Sequence, residues 1–165
     1  MRGCPIAESG AAPSCRPAES RAQPVTGDIL AGCRLLPLSV RGDERGSLVP
    51  IEAGRTIPFE VRRVYTVFGT KPGVKRGFHA HRDLRQLAVA VSGACTMVLD
   101  DGSKRVSLRL ERPDEALLIG PMIWREMADF TPDCVLMVLA DAFYDEVDYI
   151  RDYAAFQSFA LNAQA

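Results

Sequence analysis

Histidine is scarce in this chain. Two residues in 165 are histidines, His79 and His81, with a single alanine between them. There is one tryptophan, Trp124, and no C-x-x-C pair, and 20 basic residues balance 21 acidic ones. Each shortage excludes something. Without a third histidine, a dedicated transition-metal site cannot be filled from imidazoles, so no metal and no cofactor is expected. A net charge of −1 offers no basic field for nucleic acid or an anionic membrane surface. No apolar run reaches the roughly 18–20 residues that a membrane span needs. Five cysteines are an odd number, and nothing in their spacing reads as a disulfide framework. Cys4 and Cys15 fall in the N-terminal stretch, Cys33 at the domain entry, and Cys95 and Cys134 in apolar runs. Reduced thiols in a cytoplasmic protein are the expectation.

What is present reads as one domain with a tail. Residues 1–27 are rich in Pro, Ala, Ser and Gly, carry no continuous apolar core, and are expected to be disordered. Residues 28–165 form the domain. Short β-type runs separated by turn residues fill most of it: Cys33–Val40, Ser47–Ile51, Val61–Phe68, Gly77–His81, Gln86–Ser92, Cys95–Asp100, Lys104–Leu110, Glu115–Ile119, Ile123–Met127 and Cys134–Ala140. That spacing predicts an all-β antiparallel sandwich or barrel. Asp101-Gly102 is a two-residue hairpin signal. In Gln86–Ser92 the odd positions Leu87, Val89 and Val91 are bulky, while Gln86, Ala88, Ala90 and Ser92 are small or polar. Alternation sends these sets to opposite faces, the small set facing a cavity. Near the C-terminus, Tyr149, Tyr153, Phe156 and Ala160 recur at helical spacing and predict an amphipathic helix with a core-facing stripe.

The two histidines sit inside a recognisable spacing. Gly73, His79, His81, Gln86 and Gly93 follow the pattern G-x5-H-x-H-x4-Q-x6-G, which resembles the first motif of the cupins, with Gln86 where that motif carries glutamate. The second cupin motif would supply a further histidine near Trp124, and none is there. Alternate residues of a strand project on one side, so both imidazoles should enter the interior. Two neighbouring imidazoles cannot easily both be protonated, which leaves one free as a base near neutral pH.

A narrower resemblance covers residues 33–158. RGSLVPIE, RRVYTVFGT, RGFHAHR, GPMIWREM and DCVLMVLADAFYDEVDYIRDYAAF are similar, in order and spacing, to the nucleotide-sugar 3,4-ketoisomerases of the WxcM-like group. The resemblance implies a metal-free cupin jelly roll with a C-terminal helix. It also implies a homodimer and a dTDP-linked 4-keto-6-deoxyhexose substrate whose carbonyl moves from C4 to C3. Family precedent makes His79 the base and His81 its partner. Tyr65 has a phenol that can orient or protonate a sugar oxygen. The diphosphate calls for a cation, with Arg76 first, then Arg45 and Arg82, because the guanidinium fork suits phosphate. Gln86, Trp124 and Arg125 are expected to line the sugar side. A 3,5-epimerase of the same substrate class is the alternative, set aside because such enzymes usually carry an Asp-supported histidine and a longer chain. A non-catalytic sugar-nucleotide-binding cupin is a second.

Overall fold

The computed structural model describes residues 28–163. The predicted disorder of residues 1–27 lies outside them. The strands are β1 (Asp28–Leu30), β2 (Cys33–Pro37), β3 (Arg41–Asp43), β4 (Gly46–Leu48), β5 (Arg63–Phe68), β6 (Arg76–His81) and β7 (Gln86–Ser92). They continue with β8 (Cys95–Asp100), β9 (Arg105–Leu110), β10 (Glu115–Ile119), β11 (Trp124–Ala128), β12 (Val135–Ala140) and β13 (Tyr149–Ile150), and the chain closes with α1 (Tyr153–Ala163). One sheet runs β1-β2-β10-β7-β12-β5 and the other β13-β6-β11-β8-β9, while β3 and β4 form a separate hairpin. All pairings between these strands are antiparallel. The all-β expectation holds, and two facing sheets sharing one core are a jelly roll. None of the described helices is long and apolar enough to cross a membrane.

The layers follow from side-chain alternation. Between the sheets lie Ala88, Ala90, Met97, Leu99, Leu110, Leu117, Leu136 and Val138. On the far side of the larger sheet, Leu87, Val89, Ala116, Leu118 and Leu139 are covered by Leu38, Ile57 and Phe59. Both faces of β7 are therefore packed, which corrects the expectation of a cavity along its small face. Ala88 and Ala90 let the sheets approach, and only Gln86, at the strand's end, borders the site. Helix α1 covers the smaller sheet, placing Phe156 and Ala160 against Ala80, Trp124 and Ile150. Its first turn is capped by Asp152, whose carboxylate accepts the Ala155 N–H at 2.7 Å. The helix starts four residues later than the aromatic stripe implied, so Tyr149 belongs to a strand. The Asp101-Gly102 hairpin is also longer than its two-residue signal. Asp100 pairs with Arg105, and the Asp101 carboxylate gathers the N–H groups of Ser103 and Lys104 into a wider turn. Of the five cysteines, Cys33, Cys95 and Cys134 are described, and all three are buried free thiols.

One irregularity positions everything that follows. Where β6 pairs with β11, His79 lies opposite Arg125 and Arg76 opposite Met127, but Glu126 faces Gly77 and Phe78 is left over. Gly77 and Phe78 have φ of +91° and +56°, so the strand bulges there. Strict alternation would send Arg76 and His79 to opposite faces, since they stand three positions apart with two residues between them. The extra residue restores them to the same face, together with His81. Gly77 is required at that point on two counts: its φ is left-handed, and a Cβ would stand 2.7 Å from the Arg125 carbonyl oxygen. Gly77→Ala is expected to cost about 2–3 kcal/mol, seen as a fall in Tm on the order of 5–10 °C. An unchanged melting curve would mean the bulge is not under this constraint.

Candidate active site

The inward side of the bulge holds an imidazole pair. His81 is fully buried, and its Nδ1 lies 2.7 Å from Asp148 Oδ2. Asp148 is itself held, its Oδ1 accepting the Asp83 N–H at 2.8 Å and its carbonyl accepting the Arg82 N–H at 2.9 Å. A neutral His81 therefore donates from Nδ1, which leaves Nε2 bare, buried and without a partner among the described residues. His79 stands edge-on to it, with ring centroids 4.8 Å apart, and its Nδ1 is likewise buried and unpartnered. Tyr149 packs on both rings, at 4.9 Å and 4.2 Å.

Behind the imidazoles lies a buried cation. Arg125, 2% exposed, reaches back along its own strand to the Ile123 carbonyl, with Nη2 at 2.8 Å and Nε at 3.2 Å. Its Nη1 donates to Gln86 Oε1. Gln86 Nε2 in turn donates to the Tyr65 hydroxyl at 2.9 Å. Because that oxygen accepts from Gln86, the phenol's own hydrogen is free for another acceptor. Among the described residues, no carboxylate forms an ion pair with Arg125, so its charge acts on its neighbours. Burial, then Arg125, pushes His79 down to about 4. Burial also lowers His81, helped by Arg125 and His79 and opposed by Asp148. Burial raises Tyr65 above the usual phenol value, keeping it a donor, and lowers Arg125 itself to about 10.

In front is a cleft of about 420 Å³ lined by three arginines, Arg63, Arg76 and Arg151, three tyrosines, Tyr65, Tyr144 and Tyr149, and His79. Two of the arginines are already engaged. Arg151 stacks 4.4 Å over Tyr149 and pairs with Glu146 at 2.7 Å, and Arg63 lies 5.5 Å over Tyr65. Arg76 makes no side-chain hydrogen bond or ion pair among the described residues.

Six of the nine residues expected from the sequence gather here: His79, His81, Tyr65, Arg76, Gln86 and Arg125. Three do not. Arg45 sits in the β3–β4 hairpin, bonded to Asp43, and lines a separate hollow. Arg82 has left the bulged face and lies 4.8 Å over the Phe159 ring. Trp124 precedes Arg125 on β11 and so points outward, where it packs on Tyr153 and Phe156 and bonds Glu126 at 3.2 Å. The sequence reading overlooked Asp148, Tyr149, Arg151, Arg63 and Tyr144. Asp148, Tyr149 and Arg151 lie in the stretch DYIR, whose value was hidden by reading Tyr149 as helical.

A jelly roll with an imidazole pair, a free phenol and arginines opening off its interior is a cupin built for acid–base work on an anionic ligand. The family model FdtA: WxcM-like, C-terminal matches residues 31–160, and the chain belongs to that family. It is 50% identical over 117 residues to TDP-4-oxo-6-deoxy-alpha-D-glucose-3,4-oxoisomerase of Aneurinibacillus thermoaerophilus, covering 71% of this chain and 84% of that one. Among solved structures it is similar to the sugar 3,4-ketoisomerase QdtA of Thermoanaerobacterium thermosaccharolyticum in complex with TDP. That match has 37% identity and a TM-score of 0.80, over 82% of this chain and 98% of QdtA. ChmJ, a 3'-monoepimerase from Streptomyces bikiniensis, is 18% identical with a TM-score of 0.64, over 72% of this chain and 68% of its own. At that identity the likeness shows the shared fold alone. The Asp148–His81 pair removes one ground on which an epimerase was set aside, since an Asp-supported histidine is present. The ketoisomerase relatives carry the distinction instead.

Both imidazoles have folded-state values below the unfolded histidine value of about 6.5. As pH falls below that value, the unfolded chain binds protons before the folded one. The stability contributed by neutral burial is therefore present above about 6.5 and is lost as pH falls towards 4. Urea melts at pH 7, 6 and 5 should show this decline, and His79→Asn should make it shallower. An equal slope in the variant would count against a neutral, buried His79.

Proposed function

We propose that this chain interconverts a TDP-linked 4-keto-6-deoxyhexose and its 3-keto isomer. The 50% identity to a 3,4-oxoisomerase supports the reading. The observation that carries it is His79 and Tyr65 lining one cleft with an unneutralised guanidinium behind them. His79 is the base, because it lines the cleft whereas His81 is fully enclosed. His79 takes the C3 hydrogen as a proton. The C3–H electron pair becomes the C3=C4 bond, and the carbonyl oxygen at C4 takes the Tyr65 proton, giving an enediol. The hydroxyl on C3 then returns a proton to the tyrosinate, the C3 carbonyl forms, and the imidazolium protonates C4. Both catalytic groups are restored and no redox partner is needed. Arg125 stabilises the negative charge that develops on the oxygens, and His81, fixed by Asp148, holds its neighbour.

The same reading places the diphosphate at Arg76. It dispenses with a metal, because two imidazoles, one of them already engaged by Asp148, and an amide make a poor donor set. Among the described residues no three or more His, Cys, Asp or Glu side chains cluster so as to hold an ion. It also places a second copy of the chain on the exposed edge strand β5, where Val64 and Phe68 are 56% and 69% exposed. The buried free thiols accord with a reducing cytoplasm. A dimeric mass in light scattering and full activity in chelator check these two proposals, and a monomer or a chelator-killed enzyme would reject them.

Incubation with TDP-4-keto-6-deoxyglucose in D2O tests the function by NMR. The expected product is the 3-keto sugar, carrying deuterium at C4 once the imidazolium that holds the C3 proton has exchanged it with solvent. Inversion at C3 or C5 without a shifted carbonyl would mean an epimerase, and unchanged substrate a binding module. His79→Asn should lower kcat by at least about 10²-fold with TDP binding kept, and near wild-type turnover would exclude it as the base. Arg76→Ala should raise KM while kcat stays within a few-fold, since a diphosphate contact is made about equally in ground and transition states. The opposite pattern would place Arg76 at the reacting carbons.

A further inference from the structure

We propose that Gln86 is a positioning residue: its amide fixes the direction of the Tyr65 hydrogen and keeps the buried Arg125 charge unneutralised beneath the reacting carbons. The kinetic half of this rests on the isomerase reading, and the electrostatic half does not.

Gln86 is 2% exposed and does not line the cleft, so its effect passes through others. Its orientation is forced. Arg125 has only donors, so the amide oxygen must face Nη1. The amide nitrogen is then the group that meets Tyr65, at 2.9 Å, and it can only donate. The phenol must accept, and its hydrogen turns to the cleft. A carboxylate here would invert both relations. It would accept from Arg125 and cancel the charge, and it would accept from Tyr65 and take the hydrogen meant for the substrate.

The groups that set the charge on His79 can be named by element. His81 lies on the same strand and Arg125 on β11, opposite. Asp148, Tyr149 and Arg151 come from the β13 segment, and Tyr65 from β5. Arg125 is the largest charged influence on His79, and among the described residues Gln86 is the side chain bonded to its guanidinium. The chain has two histidines, so two imidazole Cε1 resonances report the site without any need for turnover.

The test uses the full chain and four variants, Gln86→Glu, Gln86→Met, Tyr65→Phe and the Gln86→Met/Tyr65→Phe double, each checked by circular dichroism. In Gln86→Glu, the His79 resonance should titrate higher than in wild type, moving up from about 4 towards the ordinary value. Its kcat should fall by about 10²-fold with KM within a few-fold. Gln86→Met removes both hydrogen bonds without adding charge. It should leave the His79 titration unraised but slow turnover, and combined with Tyr65→Phe it should add no loss beyond Tyr65→Phe alone. An unmoved titration in Gln86→Glu overturns the electrostatic half. Multiplying losses in the double variant overturn the positioning half, and this comparison decides even if Gln86→Glu fails to fold. Failure of the isomerase reading itself would show separately, as wild-type protein that makes no 3-keto product while the resonances still titrate.

Discussion

Two successive residues with left-handed backbone in the middle of β6 hold the site together. A regular strand offers every second side chain to the interior, which accommodates His79 and His81 but leaves Arg76 outside. The bulge at Gly77 and Phe78 inserts one position, so the cation and both imidazoles share a face. The same insertion opposes His79 to Arg125, which is how a guanidinium comes to depress the base. Phe78, an aromatic residue at φ +56°, accepts a conformation that costs on the order of 1–2 kcal/mol. The surrounding pairing with β11 and β13 on either side holds it there.

The site is electrostatically unbalanced by construction. Most buried guanidinium groups meet a carboxylate, and Arg125 meets a carbonyl and an amide. The carboxylate bonded to the imidazole pair, that of Asp148, is committed to His81 and to the Asp83 N–H. Positive charge on the floor and two neutral imidazoles above it favour a species that becomes anionic, while burial prevents either ring from charging first.

Much of this was legible in the sequence because it rests on short-range rules. Strands β7, β8 and β10 fall at the boundaries that alternation and turn residues set. The paired histidines signalled the site through their spacing. The failures have physical reasons. Trp124 and Arg125 are both expected on the sugar side, yet neighbours on a strand face opposite ways. Arg76 was chosen for its chemistry, and its place on the inward face depends on a bulge that no local pattern revealed apart from Gly77 itself. Tyr149 fitted a helical period by coincidence. The chain instead spends four residues on a strand and a cap, and only long-range pairing with β6 could decide that. Asp148 was invisible because its partner lies 67 residues away.

Residues 148–152 illustrate how tightly the chain's length is fixed in places. Asp148 holds His81, Tyr149 covers both rings, Ile150 anchors the helix side, Arg151 borders the cleft, and Asp152 starts α1. All five successive positions have separate tasks, three of them at the site and two on the helix side. Gaining or losing one residue would exchange inside for outside and detach the helix from its cap in one step. The turn at Asp101–Lys104, by contrast, is closed largely by its own side chains. Variation in chain length among related proteins should therefore collect in turns of that kind and avoid the strand-to-helix junction.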